Sequence, residues 1–470
     1  MTEIEVIPTP SLGDQSYLLI SGDEALVVDQ QRDAWRLVAA CQGRGVVLRY
    51  VLETHVHNDY VSGAVEVRAA TGARIVGPAE AHYGFDHLAV ADGDEVRLGD
   101  LTVRAMRTPG HTPEHTSYLV LGDPCDPAAA PLAVLTGGRL IVGGAGRTDL
   151  LGARRADELA RAQYRSLQRL ALLPDQTWVL PTHGAGSFCA AQARSGRAMS
   201  TVGRERRTNP ALLAADEDAF VRRHAAGRTP RPTYYRHMPA INRAGPEVLT
   251  RVPELPALPV EDVTRRIAAG AWVVDGRDRA AFAAAHLPGS LNVELDDSFA
   301  SYVGWLVPFG APLLLVLPDP VPEAAATAVT QLLRIGYEQV AGYLAGGVPA
   351  WRTAGLPLRG YPVADATEVP PPGAAVLVLD VRQPSELEAG TIPGSRAVFV
   401  GDLPTGLADL PPGVPVWTIC ASGRRAALAA SLLDRAGIPV TAVTRGGVPD
   451  WLKDQRHREP QEAQRDRLLR

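Results

Sequence analysis

Apolar runs of strand length, cut by Gly, Asp and Pro, dominate the front of the chain. Ser16–Ser21 and Glu24–Asp29 read as two strands joined by Gly22-Asp23, and Arg49–Glu53, Arg74–Gly77, Glu95–Leu98 and Leu101–Met106 read as further strands. Helices are expected at Ala34–Gln42 and Val61–Ala70. Leu159, Leu167, Leu170 and Leu172 then recur among polar residues, which predicts an amphipathic helix over Ala156–Leu172. Trp178–Leu180 reads as a strand, Cys189-Ala190-Ala191 as a helix start, and Asn209–Arg222 as another helix. Arg228–Pro253 is proline-rich yet carries Tyr234, Tyr235 and Met238. A flexible linker is rarely so aromatic, so an ordered connector is expected.

The back half repeats itself. Gly346-Gly347-Val348-Pro349-Ala350-Trp351 returns as Gly446-Gly447-Val448-Pro449-Asp450-Trp451, and Val273-Val274-Asp275-Gly276-Arg277 returns as Val378-Leu379-Asp380-Val381-Arg382. His286-Leu287-Pro288-Gly289-Ser290 is matched by Thr391-Ile392-Pro393-Gly394-Ser395. Matching landmarks at one spacing mean a duplicated domain, and each copy alternates strands with helices as a parallel α/β unit should.

With 470 residues, the chain is long enough for two to four domains, and 46% hydrophobic content suits globular folding. The 47 basic and 52 acidic residues are interleaved, for a formal charge of −5, so there is no nucleic-acid footprint. No apolar run is long enough to span a membrane; Leu313–Leu317 is a short strand bounded by prolines. The N-terminus lacks a signal-peptide charge pattern, and four scattered cysteines form no disulfide framework. A reducing cytoplasm with at least one working thiol is therefore expected.

Candidate chemistry concentrates in a few loops. The strand Arg49–Glu53 runs into Thr54-His55-Val56-His57-Asn58-Asp59-Tyr60. Imidazoles at i and i+2 and a carboxylate share this turn and can converge on a divalent cation. The alternative is a pair of buried histidines capping the turn with Asp59. Thr108-Pro109-Gly110-His111-Thr112 and Pro181-Thr182-His183-Gly184 each add a histidine after a strand, beside Gly or Pro, which favours the metal reading. His115 is expected in the pocket wall and Asp29 beneath the site loops. Cys125 falls in an Asp/Pro/Ala loop with nothing nearby to activate it.

Far downstream, the predicted strand Val414–Ile419 leads into Cys420-Ala421-Ser422-Gly423-Arg424-Arg425, ahead of a helix over Ala426–Arg435. Loop N–H groups, the helix dipole and two guanidinium groups would favour a thiolate and then a persulfide anion. The first copy ends its corresponding strand at Val316-Leu317, followed by Pro318-Asp319-Pro320. No cysteine lies between Cys189 and Cys420, so this copy has no nucleophile. Its expected role is packing, or shaping a sulfur-delivery surface.

The histidine motifs resemble those of the metallo-β-lactamase superfamily, and Gly146-Arg147-Thr148-Asp149 is similar to a run that its persulfide dioxygenases carry. Both repeats resemble rhodanese domains. The resemblance implies an α/β multidomain chain, with a metallo-β-lactamase αββα sandwich over 1–245 and two rhodanese-like parallel-sheet α/β domains. These span 254–360 (inactive) and 366–459 (active), and the charged tail 460–470 reads as a solvated helix.

Two positions depart from the family pattern. His-x-His-x-Asp-His ends here on Tyr60, which argues against a second metal. Thr-Gly-Asp, whose Asp is an iron ligand in the family, reads Thr136-Gly137-Gly138. His55 and His111 carry over as ligands, and a third donor comes from His57, from solvent, or not at all. The expected set is His55, His57 and His111 around one Fe(II) per chain, with zinc as the alternative. Asp59, Tyr60 and His183 surround it, and Arg147 and Asp149 form an ion pair beneath. On that view, Gly138→Asp should tighten binding by restoring a carboxylate.

The implied reaction is oxidation of a thiol persulfide (glutathione, coenzyme A or similar) with O2 to sulfite, in sulfide detoxification. Sulfane-sulfur transfer through Cys420, assisted by Arg425, would follow with thiosulfate as donor or product. A thioester hydrolase of the glyoxalase II kind is one alternative. A metal-poor scaffold or sensor carrying only sulfurtransferase activity is the other. No nucleic-acid or membrane partner is expected, and a homo-oligomer is left open.

Overall fold

A computed structural model describes residues 2–122, 130–191, 196–226, 230–249 and 252–456. The chain forms two compact units, residues 1–252 with 330–336, and residues 253–329 with 337–470. Among the described residues, no helix is long and apolar enough to cross a membrane.

The first unit holds two six-stranded sheets. One runs in the order β1 (Thr2–Thr9), β2 (Asp14–Ser21), β3 (Glu24–Val28), β4 (Val47–Leu52), β5 (Arg74–Pro78) and β6 (Leu88–Val90). Its first three strands are antiparallel and the rest parallel. The other comprises β7 (Glu95–Leu98), β8 (Leu101–Arg107), β9 (Thr116–Leu121) and β10 (Ala133–Gly137), extended by strands introduced below.

Strand periodicity explains the layering. In β2 and β3, Tyr17, Leu19, Leu26 and Val28 point inward to meet Val103, Tyr118, Val120 and Leu135 of the facing sheet. Leu18, Ile20, Ala25 and Val27 point outward, under Leu37 of the helix Trp35–Arg44 and Val65 and Val67 of the helix Ala64–Thr71. Every residue of β2 is buried because both faces are covered. The second sheet is capped by Leu167 and Leu170 of the helix Ala153–Ala171, which lie over Leu119 and Val134. Fully burying each such leucine stabilises by about 1.5–3 kcal/mol. The result is the αββα sandwich.

β11 (Leu140–Ile141) and β12 (Gly144–Gly146) form a small hairpin; β13 (Trp178–Pro181) joins β10 in parallel, β14 (Ala190–Ala191) pairs with β12, and β15 (Ser200–Thr201) edges the second sheet. The helix start expected at Cys189-Ala190-Ala191 is thus a strand, because the hairpin offers its edge. The helix expected over Asn209–Arg222 is also revised: helices span Val202–Thr208 and Glu217–Ala226. Pro210 forces Asn209 into an extended conformation (φ −81°, ψ 117°), and the Asn209 amide then bonds the carbonyls of Ile141 (3.0 Å) and Gly144 (2.9 Å). The connector is ordered, as its aromatic content predicts: Tyr234, Tyr235 and Met238 are all buried. The expectations for Cys125 and for the tail beyond residue 459 fall outside the described residues.

The second unit contains two five-stranded parallel sheets of identical order. They are β16 (Ala257–Leu258), β17 (Trp272–Asp275), β18 (Leu291–Asn292), β19 (Leu313–Val316) and β20 (Val340–Leu344), then β21 (Val363–Asp365), β22 (Leu377–Asp380), β23 (Arg396–Ala397), β24 (Val416–Ile419) and β25 (Val440–Arg445). The duplication reaches individual bonds. Asp275 clamps Arg277 (2.6 Å) as Asp380 clamps Arg382 (2.7 Å), and Ser290 and Ser395 each donate to the carbonyl three residues back. Asp275 pairs with Val316 across β17/β19 as Asp380 pairs with Ile419 across β22/β24, so Leu317 stands where the second repeat has Cys420.

Candidate functional site

The loops at the ends of β3, β4, β8, β10 and β13 bring five histidines together. The Nε2 atoms of His55, His111 and His183 have no hydrogen-bond partner, all three rings are fully buried, and the three residues can offer ligand atoms within 4.8 Å of one another. Each ring is held from behind through Nδ1. His55 meets the Thr54 hydroxyl (2.8 Å), His111 the Arg147 carbonyl (2.7 Å), and His183 an Asp14 carboxylate oxygen (2.8 Å). Burial pushes all three imidazoles below their usual pKa, so they are neutral with inward lone pairs. Bonding the outer nitrogen fixes tautomer and tilt, as metal-binding imidazoles require. This donor set fits a divalent metal.

His57 is engaged differently. Its Nε2 lies 3.0 Å from the Tyr60 hydroxyl, 3.3 Å from Asp29 and 3.4 Å from Glu53. Burial opposes a charge there, but the two carboxylates hold His57 well above the ordinary histidine pKa. Through Nε2 it ties the loop after β3 to the loop after β4. Its Nδ1 remains unpartnered, and His57, Asp59 and His183 form another group able to converge on one ion. Tyr60 stacks on His57 (4.3 Å) and donates to the Asp29 carbonyl (3.1 Å). Asp29, at φ 54°, accepts from the Thr54 amide (2.8 Å) and from the hydroxyls of Thr54 and Thr182.

Asp59 lies 3.3 Å from His183 Nδ1, and burial pushes the Asp59 and Asp14 carboxyls up to about 7. Arg147 makes a bidentate pair with Asp149 (2.9 and 2.8 Å) while its carbonyl orients His111. Both nitrogens of His115 are used, by Thr108 (3.0 Å) and the Gly138 amide (3.2 Å).

The Cys420 loop is built from β24 and the helix Arg424–Arg435. The buried Cys420 Sγ accepts from the Gly423 amide (3.1 Å), at the helix N-terminus. The loop is gripped from behind, where Val448 N–H donates to the Cys420 carbonyl (2.8 Å). A Cβ at Gly447 would lie 2.3 Å from the backbone of Ala421, which explains the second Gly-Gly. Arg425 is held in a bidentate pair by Glu386.

A rhodanese-like domain model matches residues 259–354 and 370–454. Over 246 residues, 46% of this chain and 88% of the relative, the sequence is 30% identical to a hydroxyacylglutathione hydrolase of Pseudomonas entomophila (strain L48). The front of the chain belongs to the metallo-β-lactamase-fold, glyoxalase II-like family. A metallo-β-lactamase structure from Staphylococcus aureus subsp. aureus COL covers 73% of this chain and 99% of its own at 25% identity, with a TM-score of 0.65. ETHE1 from Myxococcus xanthus covers 52% and 98%, respectively, at 29% identity and a TM-score of 0.44.

Sequence reasoning overlooked the connector as part of the site. Asn242 donates to the carbonyls of His57 (2.9 Å) and Tyr60 (2.8 Å), and Tyr234 donates to that of Asp59 (2.8 Å). A single polar residue in a helix carries no signal for this; only the loop's unpaired carbonyls reveal it. In this metallo-β-lactamase-fold site, the expectation for Gly138 also reverses. A Cβ there would lie 2.3 Å from the His111 ring, and one at Gly146 would lie 2.8 Å from it. His111 occupies the space a side chain at 138 would need. Gly138→Asp should therefore displace His111 and weaken metal binding by at least about tenfold, measured as metal retained after dialysis against a chelator.

Proposed function

We propose that the front domain (1–245) oxidises a low-molecular-weight thiol persulfide to sulfite at one iron held by His55, His111 and His183. The second rhodanese-like domain (366–459) passes sulfane sulfur through Cys420, and the first (254–360) has no nucleophile of its own. The observation that carries this reading is the trio of unpartnered Nε2 atoms, each oriented through Nδ1. Iron(II) bound there would supply open positions at which O2 and a sulfur anion can meet.

The chain's own residues do the rest. Thr54, the Arg147 carbonyl and Asp14 keep the three lone pairs convergent. Three neutral imidazoles leave an ion its full positive charge, which suits an anionic persulfide better than a face containing a carboxylate. At Cys420, the thiolate attacks a sulfane sulfur and the donor's S–S bond breaks. The leaving sulfite or thiolate takes the electron pair, and Cys420 keeps the terminal sulfur as a persulfide beside the Gly423 N–H. Tethering both activities on one chain raises the effective concentration of a labile sulfur species.

A second reading is favoured by the group His57, Asp59 and His183, which could hold another ion, and by the hydroxyacylglutathione hydrolase relative. It makes the front domain a two-metal thioester hydrolase. Elemental analysis of anaerobically prepared protein, with oxygen uptake on glutathione persulfide, separates the two. One iron per chain with uptake is the expected result. Two ions with thioester cleavage would replace it with the second reading, and neither activity would leave a sulfurtransferase alone.

A further inference from the structure

We infer that the first rhodanese-like repeat sets the charge, and so the donor preference, of the Cys420 site. Its Asp296 and Glu294 neutralise arginines at the loop and bias it toward a monoanionic organic persulfide over a dianionic inorganic donor such as thiosulfate. This rests on Cys420 being the sulfur carrier.

Three guanidinium groups stand at the loop, and each is countered. Arg425 is paired with Glu386 of its own repeat. Arg424, half-exposed beyond the cysteine, has its Nε 2.9 Å from Asp296 and its Nη1 3.1 Å from the Ser298 hydroxyl. Arg279 donates to the Ser422 carbonyl (2.9 Å) while Glu294 grips its other side at 2.8 and 2.9 Å. Asp296, Glu294, Ser298 and Arg279 all come from the repeat that has Leu317 in place of a nucleophile.

Three positive charges meet three negative ones, so the mouth of the site has no net cationic cradle. The next element, the helix Phe299–Leu306, adds Tyr302, which lies in the electrostatic neighbourhood of Arg425 and Cys420; burial pushes its phenol up to about 12, so it stays neutral. A charge-balanced rim suits an organic group attached to sulfur.

The chemistry distinguishes the donors by charge. Thiosulfate brings two negative charges; Cys420 takes its outer sulfur, the S–S bond breaks, and sulfite departs with the electron pair and both charges. An organic persulfide brings one charge and departs as a thiolate. Close to a cysteine thiolate, the dianion needs Arg424 free, and Asp296 withholds it.

Asp296→Asn keeps the oxygen that accepts from the Ser298 N–H (2.7 Å), so the turn survives while the charge is lost. Sulfur transfer is measured with thiosulfate and with glutathione persulfide as donors. The variant should lower KM for thiosulfate about five- to tenfold, less so at high salt, with kcat unchanged. KM for the organic persulfide should change by less than about twofold. Arg424→Gln alone should raise KM for thiosulfate, and Asp296→Asn with Arg424→Gln should cancel the gain. Glu261→Gln, an exposed charge elsewhere in the same repeat, should change neither donor.

An equal effect on both donors, no effect, or a gain that survives loss of Arg424 would overturn the inference. Transfer that persists in Cys420→Ser would instead overturn the reading beneath it.

Discussion

Cys420→Ser is expected to abolish sulfur transfer from thiosulfate and from organic persulfides, by more than about a thousandfold in kcat. Oxygen is a poorer nucleophile than sulfur and cannot carry a sulfane sulfur through a reversible S–S bond. Among the described residues, no second cysteine is placed to substitute. Leu317 holds the equivalent place in the first repeat, and Cys41 and Cys189 are buried in the first unit. The fold should survive, since the loop is held by backbone bonds that serine preserves, notably Val448 N–H to the residue 420 carbonyl. The measurement is single-turnover transfer of sulfane sulfur to cyanide, with circular dichroism to confirm folding. More than a few per cent of wild-type transfer in folded Cys420→Ser would refute Cys420 as the carrier.

His183→Ala and His57→Ala should fail in opposite ways. His183 offers a free Nε2 beside those of His55 and His111, so His183→Ala should cost at least about a hundredfold in metal affinity while leaving the sandwich folded. His57 instead commits its Nε2 to Tyr60, Asp29 and Glu53. Removing it strands two carboxylates in the interior, which should destabilise the first unit by about 3 kcal/mol at neutral pH. The protein that remains folded should keep its metal. Elemental analysis after gel filtration reports the first effect, and urea denaturation of metal-free protein the second. Metal loss in His57→Ala with retention in His183→Ala would restore the donor set His55, His57 and His111 expected from sequence.

That contrast marks what sequence by itself determined. Strand-length apolar runs, turn residues between them and a repeated set of landmarks are local signals, and they were sufficient for most elements and for the duplicated α/β domain, while the αββα sandwich was implied by the resemblance that the histidine motifs carry. The residue types of the site were equally legible: histidines next to Gly and Pro, and one cysteine ahead of a helix. The missing nucleophile of the first repeat was legible too, whereas its equivalence to Leu317 came from strand register. Short local patterns compete with nothing else when the neighbouring chain is their only environment.

The tertiary structure decided which atoms face one another. Which nitrogen of His57 and of His183 is left unbonded depends on partners remote in sequence, Asp29 for His57 and Asp14 for His183. Arg425, next to the Cys420 loop in sequence, takes as its partner Glu386, 39 residues earlier. Asn242 fastens the His57–Ser62 loop from a connector about 180 residues away. Hydrogen bonds and ion pairs are short-ranged and directional, so their partners are fixed only when folding has brought distant segments within about 3 Å.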